Sequence, residues 1–215
     1  MNAKHTRGGF SLVEMAVSTG ILGIMMGFLL SFQNASDAAA DQTRLLDEVE
    51  TRLGRSLQRI GDELRGVAED TIWEDLEGLG GPSELLTFQK VVSLDGAVAE
   101  LGPVVRLTAE LESSETANGV DDDGDGLVDE RALYLVRDYG EANEQRVLLT
   151  RSVLEYFPGE TLDNTDENGN GLVDEPGFHI TRDGDRLIVR IALSIVRSDG
   201  ASVQREGEVS IEIRN

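Results

Sequence analysis

The sequence predicts an α+β protein in which a long N-terminal α-helix, its first half membrane-spanning, packs on an antiparallel β-sheet. Three observations predict it. No proline occurs before Pro82, so nothing up to that point removes a helical N–H donor. From Phe10 to Phe32 the chain is apolar apart from Glu14 and a few hydroxyls, and after Asn34 the residues Leu46, Val49, Leu53, Leu57, Ile60, Leu64 and Val67 recur at spacings of three and four, the stripe of an amphipathic helix. From "SELLTFQKVV" onward the period changes to two: Val105, Leu107, Ala109 and Leu111 are separated by Arg106, Thr108 and Glu110, as in a half-buried strand.

Composition bounds the partners. A chain of 215 residues with 40% hydrophobic content makes one or two small domains with a real core. Its 41 acidic and 19 basic residues give a net charge of −22. Such a surface repels phosphate backbones, which excludes nucleic acid as a partner, and favours multivalent cations. There is no cysteine, so an exported chain of this kind fastens its loops by something other than disulfides. Calcium is the candidate.

The elements follow in order. Residues 1–9, "MNAKHTRGG", form a cationic leader with Lys4 and Arg7 and no acid. The apolar segment after it is long enough as a helix, about 35 Å at ~1.5 Å per residue, to cross a hydrocarbon core of ~30 Å. The leader favours a cytoplasmic N-terminus, leaving the rest of the chain beyond the membrane. Ala16, Gly20, Gly23 and Gly27 would let neighbouring helices approach closely. A secretory signal peptide cut near Ala38-Ala39-Ala40 fits poorly, because its apolar core normally runs about 7–15 residues without a carboxylate. Hydropathy alone leaves room for a plain anchor in which Glu14 snorkels to the headgroups.

The residues around the glycines go further. "GGFSLVEMAV" resembles the processing signal of type IV pilins and type II secretion pseudopilins. The resemblance implies cleavage after Gly9 by a prepilin peptidase, N-methylation of Phe10, and a role for Glu14 in pairing with the N-terminal amine of a neighbouring subunit during assembly. It also implies major and minor pilin or pseudopilin subunits as partners, and residence in a bacterial inner membrane with a single pass and a periplasmic C-terminal domain.

The helix is expected to continue without a break through residues 34–70, weakened by Gly54, Gly61 and Gly66. A linker over 71–83 then leads into a β-rich domain over 84–215. "RLIVRIALSIVRSDGASVQREGEVSIEIRN" reads as two strands joined by a turn at Asp199-Gly200, with Val209, Ile211 and Ile213 alternating with Glu208, Ser210 and Glu212. The run "ALYLVRDYGEANEQRVLLTRSVLEYF", followed by "GDRLIVRIALSIV" and "IEIRN", resembles the minor pilin W and pseudopilin J branch.

Two segments, 118–130 and 163–175, carry calcium-type loops: "DDDGDGLVDE" at 121–130 and "DENGNGLVDE" at 166–175. Alternate oxygen-bearing side chains with a glycine at the sixth position suit a hard cation. The first loop would use Asp121, Asp123, Asp125 and Asp129 with the carbonyl of Leu127. The second would use Asp166, Asn168, Asn170 and Asp174 with the carbonyl of Leu172. Asp122 and Glu167 should face water. Where an EF-hand places its bidentate glutamate this chain has Ala132 and Gly177, so either Glu130 and Glu175 or another segment is expected to supply the missing oxygens, and a full helix-loop-helix is not expected. The second loop, with amides for two carboxylates, should bind more weakly.

Nothing points to an enzyme. Outside the leader the one histidine is His179, alternating with apolar neighbours in "GFHITR" as a strand residue. "GLGG" at 78–81 lacks the setting of a phosphate loop, and Trp73 and Tyr156 read as core or interface residues. The sequence thus points to a structural subunit that initiates or caps a pilus or pseudopilus. The alternative is an exported or membrane-anchored calcium-dependent adhesin.

Overall fold

The computed structural model describes residues 11–72, 82–95, 98–197 and 199–213. The leader, Phe10, Trp73 and the 78–81 glycines lie outside them. One helix, α1 (Leu12–Leu64), is followed by a 3₁₀ turn at Glu69–Thr71. The described residues then form nine strands: β1 (Leu85–Phe88), β2 (Val91–Asp95), β3 (Val98–Leu101), β4 (Val105–Leu111), β5 (Arg131–Arg137), β6 (Gln145–Val153), β7 (Phe178–Asp183), β8 (Arg186–Val196) and β9 (Ser202–Glu212). The chain divides into two units, Met1–Arg44 and Leu45–Asn215.

In the first unit α1 exposes its large apolar side chains, among them Leu12, Ile21, Phe28 and Phe32. Among the described residues this is the one helix long and apolar enough to cross a membrane. With no water to satisfy stray peptide groups in hydrocarbon, an unbroken helix is how such a stretch closes its own hydrogen bonds.

In the second unit the stripe predicted for α1 becomes its packing face. Val49, Leu53, Ile60 and Leu64 are buried in one cluster with Leu86, Phe88, Leu107, Leu133, Ile180 and Ile191. Each such side chain contributes ~1.5–3 kcal/mol when fully buried. The helix ends at Leu64, short of the expected residue 70. Gly66 adopts φ +81°, the left-handed turn that closes a helix C-terminus at little cost only for glycine. The chain then leaves in extended form, with Val67 bridged to Lys90. Glu63 ties the helix end to the sheet through Lys90 Nζ at 2.6 Å and through Arg137. Burial pushes the Glu63 carboxyl up, but these two cationic donors outweigh it and hold the group below its usual value.

The sheet has seven strands in the order β1-β4-β5-β6-β8-β7, with β9 on β8, while β2 and β3 form a separate hairpin. All pairings are antiparallel. β4 alternates as the sequence predicts, with Val105, Leu107 and Ala109 buried. β8 pairs along its whole length with β9, from Arg186↔Glu212 to Val196↔Ser202. Its other edge is therefore shared: β7 takes the first half and β6 meets it at Val153↔Leu193. The turn between β8 and β9 falls at Asp199 and Gly200, closed by Arg197 N to Ala201 O at 2.8 Å. Among the described residues β9 pairs with β8 alone, and it exposes Glu206, Glu208 and Glu212 on its solvent side.

Gly207 lets the helix approach β9. A Cβ there would lie 2.7 Å from Leu57 Cδ1 and 3.0 Å from Leu53 Cδ2. Both are ends of flexible side chains, so Gly207→Val should fold with α1 displaced, at a cost of about 1–3 kcal/mol from overpacking. Thermal melting of the detergent-solubilised protein should show a midpoint several degrees lower, and an unchanged midpoint would mean the helix is not held this closely.

Candidate functional site

Two places hold residues that the fold alone does not require. The first is the start of α1. Ser11 N donates to Glu14 Oε2 at 3.1 Å, and Glu14 N donates to Ser11 Oγ at 3.2 Å. This reciprocal pair is a capping box, and it gives Glu14 a hydrogen-bond partner within its own chain. Gly9 and Phe10 lie outside the described residues.

The second is a duplicated loop. Residues 115–130, "ETANGVDDDGDGLVDE", recur at 160–175 as "ETLDNTDENGNGLVDE", one leading into β5 and the other ending just before β7. Their backbones correspond at every left-handed position: Gly119 and Asn164 (φ 73° and 63°), Gly124 and Gly169 (78° and 75°), Gly126 and Gly171 (93° and 91°), Asp129 and Asp174 (49° and 51°). Gly126 is required twice over, since a Cβ there would also lie 2.7 Å from Val196 Cγ1.

Each loop is wound about its first aspartate. Asp121 accepts from Gly124 N at 2.6 Å and Gly126 N at 2.9 Å. Asp166 accepts from Gly169 N at 2.6 Å and Gly171 N at 2.8 Å. The next two alternate residues use Oδ1 to accept from the backbone two positions on: Asp123 and Asp125 in the first loop, Asn168 and Asn170 in the second. Asp122 and Glu167 are exposed, as expected.

Asp129 and Asp174 also close their repeats. Asp129 accepts from Asn118 N and Gly119 N at 3.1 and 2.7 Å, and Asp174 accepts from Asp163 N and Asn164 N, both at 2.9 Å. Each carboxylate ties the far end of its repeat to the start.

Sequence reasoning missed Glu115 and Glu160, which precede the loops by six positions. Both are buried. Glu115 accepts from Asp122 N and Asp123 N, both at 3.2 Å, and Glu160 accepts from Asn168 N at 3.1 Å. The signal that would have found them is the repeat itself, which begins at Glu-Thr in both copies.

The first loop gathers acid. Carboxylate oxygens of Glu115, Asp123 and Glu130 lie within 4.8 Å of one another, as do those of Asp121, Asp123 and Asp125. Glu130 is 1% exposed, and neither of its oxygens has a hydrogen-bond partner. Burial, reinforced by the charges of Asp125, Glu115 and Asp123, pushes its carboxyl up to about 7. Leu127, whose carbonyl was expected to point inward, is buried.

In the second loop Glu175, fully buried, accepts from Asn168 Nδ2 at 2.7 Å and from Asn170 Nδ2 at 3.0 and 2.8 Å. Arg190 Nη1 lies 3.6 Å from its Oε1 and His179 Nε2 3.3 Å from the same atom. His179 is in β7, as predicted of a strand residue, with Nδ1 2.9 Å from the Pro176 carbonyl. Burial holds its pKa below the ordinary value.

Residues 4–30 match the prokaryotic N-terminal methylation motif. The segment is a type IV pilin-like prepilin signal. No curated protein and no solved structure matches the chain. The pilin-like signal covers Gly9, Phe10 and Glu14 and runs directly into the apolar half of α1, which fits a single-pass membrane anchor. The long helix with its antiparallel sheet is consistent with an α+β pilin-like fold. Ala132 and Gly177 both enter sheet hydrogen bonding, Ala132 within β5 and Gly177 through Ala192 N at 2.7 Å, so neither loop continues into the second helix of an EF-hand.

Proposed function

We propose that the protein is a minor pilin or pseudopilin, a structural subunit that helps initiate or cap a type IV pilus or type II secretion pseudopilus. The observation that carries this reading is the methylation motif over residues 4–30, running without a break into a helix that begins at Leu12 with Glu14 in its first turn. A carboxylate in hydrocarbon is expensive unless it finds a donor or a cation. Cleavage after Gly9 would free the amine of Phe10 at a depth similar to that of Glu14, and two subunits staggered along a filament would then neutralise each other's lone charges. Prepilin peptidase, major and minor subunits and the inner membrane are the partners this implies, with the chain after Phe32 on the periplasmic side. The work is assembly rather than catalysis, and calcium is its cofactor: bound in the acidic loops, it would hold connections that otherwise repel themselves.

A second reading, an exported calcium-dependent adhesin, draws on the duplicated loops alone. The mass of the N-terminal peptide from the protein in its host envelope separates the two. A chain that starts at methylated Phe10 is the expected result. A start at Asp41 would favour the released binding domain, and an intact Met1 would leave a simple anchor.

A further inference from the structure

The two repeats share a backbone and differ in the atoms turned to their centres. In each, the peptide N–H two residues on takes Oδ1 of the alternate side chains: Asp125 N to Asp123 at 3.0 Å and Leu127 N to Asp125 at 2.9 Å, Asn170 N to Asn168 at 3.0 Å and Leu172 N to Asn170 at 2.8 Å. What remains is a second carboxylate oxygen in the first repeat and an NH₂ group in the second. Those NH₂ groups donate to Glu175. Its counterpart Glu130 has no donor on either oxygen, though it is just as deeply buried.

We propose that the first repeat binds one divalent cation through Glu115, Asp121, Asp123, Asp125 and Glu130, and that the second repeat binds none because Asn168 and Asn170 fill its centre with N–H donors. The inference rests on the calcium part of the proposed function and sharpens it from two sites to one.

A hard cation such as calcium takes six to eight oxygens at about 2.3–2.6 Å. The first repeat offers five carboxylates to such an ion, in two acidic clusters that share Asp123, and Asp123 is where a single ion would join them. That ion would also meet the two unpartnered oxygens of Glu130, whose burial is otherwise uncompensated. In the second repeat an amide nitrogen has no lone pair to donate. Turning either asparagine oxygen inward would break its hydrogen bond to the backbone and strip Glu175 of a donor. Arg190 already brings positive charge to Glu175. Oε2 of Glu160 is buried there without a partner, and it is the atom that a second ion would have to recruit, so the number of ions bound is the deciding quantity.

The test uses the full-length protein in detergent, dialysed to equilibrium against millimolar calcium at about 0.15 M salt, where loose counterions on exposed acids are screened. Calcium per chain is counted by elemental analysis. One ion is expected for the wild type and for Asp166→Asn, and none above background for Asp123→Asn or Glu130→Gln. Two ions, falling to one in Asp166→Asn, would overturn the assignment of the second repeat while leaving the calcium reading in place. No ion in the wild type would overturn both, and the filament reading would still stand or fall on the N-terminal mass. If Glu130→Gln fails to fold, the wild-type and Asp166→Asn counts decide alone.

Discussion

A Glu14→Ala protein should insert into the membrane and be processed as the wild type is, yet be nearly absent from filaments. Insertion depends on the apolar length of α1, which the substitution leaves intact and makes less costly to bury. Under the proposed function, assembly depends on a charge that the substitution removes. The capping box adds a distinction that a simple anchor lacks. Glu14 Oε2 accepts from Ser11 N, so Glu14→Ala loses one of the two bonds of the capping box together with the carboxylate, while the bond from the residue-14 N–H to Ser11 Oγ stays. Glu14→Gln keeps a group able to accept from Ser11 N and loses only the charge. If charge pairing governs assembly, both variants leave the filament fraction, by at least tenfold in sheared-filament immunoblots. If the cap governs it, Glu14→Gln assembles normally. Wild-type incorporation of both variants would remove Glu14 from the assembly mechanism.

Gly177→Ala should yield little or no folded protein. A Cβ at this position would lie 1.8 Å from the carbonyl oxygen of Leu154 and 2.6 Å from its carbonyl carbon. These are backbone atoms held by the sheet: Leu154 N donates to Ala192 O at 3.0 Å, and Ala192 N donates to Gly177 O at 2.7 Å. Relief would require separating β8 from the strand entering β7, so the loss should exceed about 4 kcal/mol, beyond the range of ordinary single substitutions. Gly171→Ala is the comparison. Its φ of 91° strains an alanine, but no atom lies within 4 Å of the added carbon, so a cost of about 1–2 kcal/mol is expected. Urea denaturation of the two variants side by side checks the ranking, and equal stability would mean that the Gly177 contact relaxes cheaply.

What could be read from the sequence was what is written locally. The α1 stripe, the alternation in β4 and the turn at Asp199-Gly200 each depend on residues within a few positions of one another, and each appears where periodicity placed it. The end of α1 was misjudged because Val67 continues the apolar spacing, while Gly66 stops the helix through a backbone angle that spacing does not encode. The order of strands around β8 was out of reach, since sharing one edge between β6 and β7 depends on pairings far apart in sequence. In the loops the alternating side chains were legible from the turn chemistry. Glu115 and Glu160 were not, because they reach the loop from outside it, and the hydrogen bonds by which Asp129 and Asp174 close their repeats were not either, because composition does not tell a carboxylate that accepts peptide N–H groups from one that does not.

β9 bears on how the protein behaves on its own. An eleven-residue strand at the border of a sheet is a template for unwanted pairing with a second copy. Glu206, Glu208 and Glu212 are exposed along it, with Glu208 paired to Arg190, and the like charge of two such strands discourages edge-to-edge aggregation. Under the proposed function, a subunit held in the membrane would thereby be kept from sticking through its sheet, leaving the N-terminal helix as the surface through which copies meet.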